Sequence, residues 1–332
     1  MNKGLRSRRL LVVIWVLLCL CLPGCLFQTT NRAPILVLNT LPREGYAPLS
    51  VTFDASESFD PEGKVLTIQW DFDDGETALG ATVEHSYKHA GNYQPRVTAS
   101  DPEGEAASES LSIDVRSVPD GYTLRRFEWE RDGQPRVWEL LIPYDLYQYY
   151  KGLRRIPYVD NYLYGDYVAD PLDDPTLEDY AMGLWNRVGQ NDEEFIRETL
   201  AFVQGAIRYQ ADPPSTEHPL YPLETLADGD GDCEDTAILF VSLLKAMDIP
   251  SKLAFVDTSH DGTPDHVLAL VAIPNSMVSE LECQAAVTTF VWGGLTFALA
   301  ETAVDQGVYG LGCDPWGLDE DDLTELWSFP NP

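Results

Sequence analysis

The sequence predicts two domains of different class, an all-β sandwich followed by an α+β domain. Three observations carry this. Residues 34–116 hold short strand-like runs at even spacing, punctuated by Gly, Pro, Asn and Asp. Beyond residue 174 the apolar period becomes helical, and Thr236–Met247 is apolar almost all the way round. Between the two regions, Ser117-Val-Pro-Asp-Gly121 reads as a linker. A chain of 332 residues is long enough for two separate cores.

Charge bounds the partners. Twenty-two Lys and Arg against 54 Asp and Glu give a formal net charge of −32. Such a surface repels nucleic acid and anionic headgroups, and it is otherwise a solvated acidic exterior. There is no C-x-x-C, and the five histidines are scattered, so no metal site and no cofactor is assigned.

Residues 1–24 read as an export signal. Lys3, Arg6, Arg8 and Arg9 form the basic part, and Leu10 to Leu22 the apolar part. That run is short of the roughly 20 residues of a lasting membrane helix. It ends in Leu22-Pro-Gly-Cys25, which resembles the lipobox of prokaryotic lipoproteins. The resemblance implies cleavage before Cys25, lipidation of its thiol, and an extracytoplasmic, membrane-anchored protein. An ordinary signal peptide or an uncleaved anchor is the alternative. Residues 25–33 then form a polar tether.

Strands are expected at Ile35–Leu38, Ser50–Asp54, Val65–Phe72, Thr82–Tyr87, Tyr93–Ser100 and Ser108–Val115. Trp70 and Phe72 alternate, so both rings should face the core. Trp70-Asp-Phe-Asp-Asp-Gly75, His85-Ser-Tyr-Lys-His-Ala-Gly-Asn-Tyr93, Asp54-Ala-Ser-Glu-Ser-Phe-Asp60 and Pro61-Glu-Gly63 resemble the PKD domain. The resemblance covers 34–116 and implies an immunoglobulin-like spacer or adhesion module whose partner is unknown. Asp54, Asp60 and Asp101 have the hard oxygens calcium prefers, but Asp in such loops ordinarily makes Asx-turns, and no site is assigned.

After the linker, Tyr122 to Trp138 reads as two strands turning at Asp132-Gly133, and Asp145 to Lys151 as a short helix. Tyrosines 144, 147, 149, 150, 158, 162, 164 and 167 either line a groove at an active-site entry or cover the core with their hydroxyls in water. Asp174-Pro175 marks a helix start, with Leu177, Ala181, Leu184, Trp185 and Val188 as its stripe. Asp192 to Ile207 is a second helix, burying Phe195, Ile196, Leu200, Val203 and Ile207. Strands follow at Lys252–Asp257, Asp265–Ile273, Thr288–Trp292 and Leu295–Ala300, the last two flanking Gly293-Gly294. From Asp314 the chain is acidic and bounded by proline, and residues 317–332 are expected to be a partly mobile tail.

The chemistry concentrates at Gly231-Asp-Cys-Glu-Asp235. Asp232 can cap the apolar helix, and Asp248-Ile-Pro250 stops it. Cys233 then sits in the first turn, where unpaired N–H groups and the helix dipole favour a thiolate. The negative charge of Asp232, Glu234 and Asp235 opposes this. His266 begins a strand face shared with Leu268, Leu270 and Ala272, and an imidazole there can take the thiol proton and return it to a leaving amine.

Tyr221-Pro-Leu-Glu-Thr225, Gly231-Asp-Cys-Glu-Asp-Thr-Ala237, Asp265-His266-Val and Leu299-Ala-Glu-Thr302 resemble the transglutaminase-like superfamily, which has the papain-like fold. The resemblance covers residues 120–316, with a catalytic core at 175–305. It implies a Cys233–His266–Glu301 triad acting on amide bonds of extracytoplasmic proteins or peptides through an acyl-enzyme. Water resolves that intermediate in a peptidase or amidase, and an amine resolves it in a transglutaminase. The family commonly has Asp where Glu301 stands, and Asp305 and Asp314 are the rival acids. The Cys233 backbone N–H is a candidate oxyanion donor, with the Tyr221 hydroxyl as a second. A catalytically inactive fold serving as a surface binding or structural protein is the other reading. The acids around Cys233 and the Glu at position 301 favour it.

Six cysteines are present. Cys19, Cys21 and Cys25 belong to the leader and its end, and Cys233 to the motif. Cys283 and Cys313 remain, and outside the cytoplasm they are expected to pair, contributing about 3 kcal/mol through loop entropy.

Overall fold

The computed structural model describes residues 30–155, 164–213, 218–281, 283–303 and 309–329. Cys19, Cys21 and Cys25, the export signal, Tyr158, Tyr162 and Asp305 lie outside the described residues. No helix among the described residues is long and apolar enough to cross a membrane. The chain divides into two compact units between Ser117 and Val118.

The first unit is all β. Its strands are β1 (Asn39–Leu41), β2 (Glu44–Tyr46), β3 (Leu49–Asp54), β4 (Thr67–Asp71), β5 (Thr77–Leu79), β6 (Thr82–Tyr87), β7 (Gly91–Tyr93), β8 (Arg96–Ser100), β9 (Ala106–Ser110) and β10 (Ile113–Arg116). They form three small sheets, ordered β1-β3-β6, β2-β10-β7 and β5-β4-β8-β9. Alternation along β3 and β4 points Leu49, Val51, Phe53, Ile68 and Trp70 into one core with Phe72 and Tyr87. The polar atoms of two buried rings are used: Trp70 Nε1 donates to Gly80 O at 3.1 Å and Tyr87 OH to Phe72 O at 3.1 Å.

Two expected strands differ. Ile35 makes only an isolated bridge to Phe59. The expected strand at 108–115 is two strands in different sheets: Leu111 N–H makes the last bond along β8, to Pro95 O, and from Ile113 the chain pairs with β7. The acidic loop residues are taken up locally. Asp54 accepts from Ser56 N–H and the Thr82 hydroxyl, Asp60 from Glu62 and Lys64 N–H, and Asp101 from Gly104 and Glu105 N–H.

The second unit opens with a hairpin, β11 (Tyr122–Arg131) and β12 (Gln134–Pro143). Asp132 and Gly133 both have positive φ, 54° and 69°, the geometry a two-residue hairpin turn needs. Among the described residues, five helices precede the motif helix: α1 (Tyr144–Gly152), α2 (Tyr164–Val168), α3 (Asp174–Arg187), α4 (Asp192–Ala206) and α5 (Pro222–Asp228). Between α4 and α5 lies β13 (Arg208–Tyr209), which pairs with β14 (Asp230–Gly231). Asn191 caps α4 by accepting the Glu194 N–H at 2.9 Å. Glu198 ties α4 to the hairpin, accepting from Trp129 Nε1 at 3.1 Å and pairing with Arg131 at 2.9 Å.

The motif helix α6 (Cys233–Lys245) packs against α2, α3, α4 and α5 and against the sheet strands β15 (Ser251–Val256) and β16 (His266–Ile273). Ile238, Leu239, Phe240, Val241, Leu243 and Leu244 are all fully buried, which explains its uninterrupted apolar sequence. Truncating one of these leucines to Ala should cost about 2–5 kcal/mol. The remaining elements are α7 (Asn275–Val278), β17 (Ala286–Val287), β18 (Thr289–Trp292), β19 (Leu295–Ala300), β20 (Cys313–Asp314) and β21 (Leu323–Phe329).

The main sheet is antiparallel throughout, in the order β18-β19-β16-β15-β21. Its outermost strand corrects the expectation of an acidic tail at 317–332, since Leu323–Phe329 pair with β15. The register slips at Leu253/Ala254, leaving Leu326 as the extra residue of a bulge, so the strand never shows clean alternation in the sequence. Cys283 and Cys313 are joined by a disulfide with Cα atoms 5.3 Å apart, beside the short β17–β20 ladder.

Candidate functional site

The N-terminus of α6 is built by its own acids. Asp232 is the N-cap, and Asp235 closes the box by accepting the Asp232 N–H at 3.2 Å. The other Asp235 oxygen takes the Leu220 N–H at 2.7 Å. A Cβ on Gly231 would lie 2.6 Å from the Asp235 Cβ, so the glycine is required by close approach. This leaves Cys233 as the first helical residue, partly exposed.

The Val267 N–H at the start of β16 bears electrostatically on the sulfur. The thiol donates to Glu234 Oε2 at 3.3 Å. Burial, then the charge of Glu234, pushes the thiol well above its ordinary range, despite the Val267 N–H. The expectation of an easily ionised thiol is therefore corrected: desolvation and acidic neighbours outweigh the helix dipole. The carboxyls respond in the same sense. Burial and the Asp232 carboxylate push Glu234 up, and burial pushes Asp235 far up. The motif therefore carries less negative charge than its formal count.

His266 lies on the opposite face of β16 from Val267, Ala269 and Val271, which pack with α6. Its own face continues as Leu268 and Leu270, in a cluster with Phe297 and Leu299 of β19. Glu301 follows β19 directly and is fully buried. His266 Nε2 meets Glu301 Oε2 at 2.7 Å. Glu301 Oε1 accepts the Ala303 N–H at 2.7 Å, and Gln204 Nε2 of α4 donates to Glu301 O at 2.7 Å. The next residue, Thr302, reaches back to α6 through a 3.0 Å contact with the Thr236 hydroxyl. The helix bearing Cys233 and the segment bearing the acid are thus tied directly together.

Of the other candidates, Asp314 is spent on its own loop. Its oxygens accept from the N–H groups of Trp316, Gly317 and Leu318 and from the Thr288 hydroxyl. Tyr221 stacks on Tyr150 at 4.3 Å and lies tilted against Tyr167 at 4.5 Å between ring centroids, under the Arg155 guanidinium. Its hydroxyl is pushed to about 12 by burial, with Asp170 and Arg155 as its charged neighbours. That environment is the aromatic stack at the start of α5. The tyrosine-rich stretch is mixed, with Tyr150 fully buried and Tyr144 and Tyr149 half exposed.

Sequence reasoning missed two residues here. Tyr209 lies opposite Gly231 in the β13–β14 pair. It is more than half exposed, and its hydroxyl is held up by partial burial and by its electrostatic neighbours Cys233, Asp232, Glu234 and Glu301. Trp316 places its ring 5.2 Å from the His266 ring. A two-residue strand and a loop tryptophan carry no periodic signal, and only the Asp314-Pro-Trp-Gly turn chemistry hints at the second.

An apolar helix with a cysteine at its head, packed on an antiparallel sheet that carries a paired histidine and acid, is an α+β thiol-domain layout. Family comparison gives that layout its name. Residues 184–291 match the transglutaminase-like superfamily, and residues 31–116 match the PKD domain. The chain carries a PKD domain followed by a transglutaminase-like domain.

Among curated proteins, a microbial collagenase of Vibrio alginolyticus is 32% identical over 95 residues, 29% of this chain and 12% of the collagenase. Collagenase ColA of Clostridium perfringens is 37% identical over 65 residues, 20% of this chain and 6% of that protein. The chain thus spans only a small fraction of these relatives. Among solved structures, the PKD1 domain of Vibrio anguillarum Epp is similar at 25% identity and TM-score 0.23, over 26% of this chain and 98% of that one. A candidate protease from Parabacteroides distasonis is similar at 12% identity and TM-score 0.31, over 77% of this chain and 66% of that one.

Proposed function

We propose that the transglutaminase-like domain is a thiol-dependent hydrolase of amide bonds in extracytoplasmic proteins or peptides. The observation that carries the reading is the His266–Glu301 pair at 2.7 Å, in a domain whose central helix is headed by a cysteine. Because the resting thiol is held neutral, Cys233 works by general-base attack and not as a preformed thiolate. Glu301 occupies Nε2, so Nδ1 of His266 takes the thiol proton as sulfur bonds to the carbonyl carbon. The oxyanion is met by the Cys233 backbone N–H, one of the unpaired donors of the first turn. The C–N bond then breaks and His266 returns the proton to the leaving amine. Water attacks the thioester, losing a proton to His266; the C–S bond breaks, that proton passes to the Cys233 sulfur, and the acid product departs. Hydrolysis is preferred over transamidation because water is the default acceptor.

The PKD domain is read as a spacer or adhesion module, and Cys25 as the lipid-bearing N-terminus of the mature, membrane-anchored protein. Mass spectrometry of the membrane fraction should find an acylated N-terminus at Cys25. A soluble product cleaved elsewhere would refute the anchor.

One observation favours a second reading, an inactive fold used for binding: the thiol proton is shared with Glu234 and the thiol is pushed up. Turnover of fluorescein-labelled casein separates the two. Cys233→Ala should abolish it and His266→Ala nearly so. Full activity in Cys233→Ala would end the hydrolase reading.

A further inference from the structure

The loop after β20 is organised around one carboxylate. Asp314 is 1% exposed, and a carboxylate buried that far is costly unless its oxygens are satisfied. Oδ1 accepts from Trp316 N–H at 3.0 Å and Gly317 N–H at 2.8 Å. Oδ2 accepts from Leu318 N–H and the Thr288 hydroxyl, each at 2.7 Å. Cys313, one residue before, is pinned by its disulfide to Cys283. Beyond the loop, Leu318 is buried in the cluster of Leu268, Leu270 and Leu299. The His260 ring adds an outer contact, Nε2 donating to Trp316 O at 3.1 Å. All of these fix Trp316, and its ring lies 5.2 Å from the His266 ring, tilted by 55°.

We infer that Trp316 is a positioning residue for His266, and that Asp314 acts through it. The inference rests on reading His266 as the base. The imidazole is the first residue of its strand and half-buried, so strand pairing alone does not fix its ring. Glu301 holds one edge of that ring. Trp316 covers it from the sheet face, which restricts the rotamer and keeps water from the Nε2–Glu301 hydrogen bond. Asp314, offered by the sequence as a rival acid, serves the same histidine at one remove.

The test uses the full-length chain with ¹⁵N-labelled histidine. Five histidines make the ring spectrum tractable, and His266→Asn assigns the signal. The wild-type Nε2 proton should resonate downfield as a hydrogen-bonded imidazole N–H. Trp316→Ala should broaden or lose that signal and lower kcat on casein about 10–100-fold, with KM changed far less. Asp314→Ala should reproduce both effects. Trp316→Phe should restore the signal and most of the rate, while Trp316→Leu, which fills space without a ring, should not. An unchanged signal and rate in Trp316→Ala overturns the inference, as does equal performance of Leu and Phe. If wild-type protein shows no Cys233-dependent turnover, yet the signal is lost in Trp316→Ala and kept in Trp316→Phe, the hydrolase reading falls and the positioning role stands.

Discussion

Glu301 is bound at both carboxylate oxygens, to His266 Nε2 at 2.7 Å and to the Ala303 N–H at 2.7 Å. A carboxylate fixed this way orients the ring and stabilises the imidazolium formed during attack. Glu301→Gln keeps an oxygen and a similar shape but loses the charge. It should lower kcat about 10²- to 10⁴-fold without abolishing turnover. A silent Glu301→Gln, measured by initial rates on casein, would show that the acid has been assigned to the wrong residue.

The neutral resting thiol makes a prediction about alkylation. Iodoacetamide should label Cys233 more slowly at neutral pH than it labels a small-molecule thiol, with the rate rising only in the alkaline range. Glu234 raises the thiol through its charge and its hydrogen bond, so Glu234→Gln should lower the thiol and speed labelling in the alkaline range, where Glu234 carries its charge. An unchanged rate would mean that burial alone sets the thiol.

His260 bridges two acceptors, the Trp316 carbonyl and the Asp322 carboxylate, each at 3.1 Å, and both ring nitrogens can donate only in the imidazolium. These partners, with Asp257 nearby, raise it above the ordinary histidine value. The folded form therefore binds the proton more tightly than the unfolded chain. The resulting stabilisation is complete below the ordinary histidine value and is lost as pH rises through the raised one. Thermal melts of wild type and His260→Gln should differ most at mildly acidic pH and converge on the alkaline side. A gap that widened with pH would contradict this.

Replacing both Cys283 and Cys313 by serine should lower stability by about 3 kcal/mol in urea titrations. It should also loosen the loop that holds Trp316, so activity should fall at denaturant concentrations where the protein is still folded. Loss of stability with wholly unaffected activity would separate the disulfide from the site.

Gly231→Ala should cost about 1–3 kcal/mol, because the new Cβ would meet the Asp235 Cβ at 2.6 Å. Asp235 closes the cap, so the damage should fall on the start of α6. Hydrogen exchange of the first-turn amides would show it. Protection unchanged from wild type would mean that the segment relaxes freely.

Much of this was legible in the chain. Uninterrupted apolar residues from Ala237 to Leu244 announce a buried helix, Asp132-Gly133 a tight hairpin, and alternation of Trp70 and Phe72 a sandwich core. The order Cys233, His266, Glu301 can be read, and the His266–Glu301 contact agrees with it. What escaped depends on three-dimensional burial or on broken patterns. The thiol's direction turned on desolvation, which no spacing reveals. Trp316 and Tyr209 come from a loop and a two-residue strand. The last strand hid behind its bulge at Leu326, and Tyr221 sits in motif context yet faces an aromatic stack.

That last strand has a consequence for biosynthesis. β21 lies outside β15 in the sheet, yet it leaves the ribosome long after β15 has emerged. Until then β15, with Leu253, Ala254 and Val256 along it, is a strand with an unpaired outer edge, open to pairing with other chains. The PKD unit, whose partners all lie within its own sequence, can finish folding first. The outer edge of β15 therefore stays open until Leu323–Phe329 are made, and a ribosome stalled short of Leu323 leaves an aggregation-prone product behind an intact PKD domain.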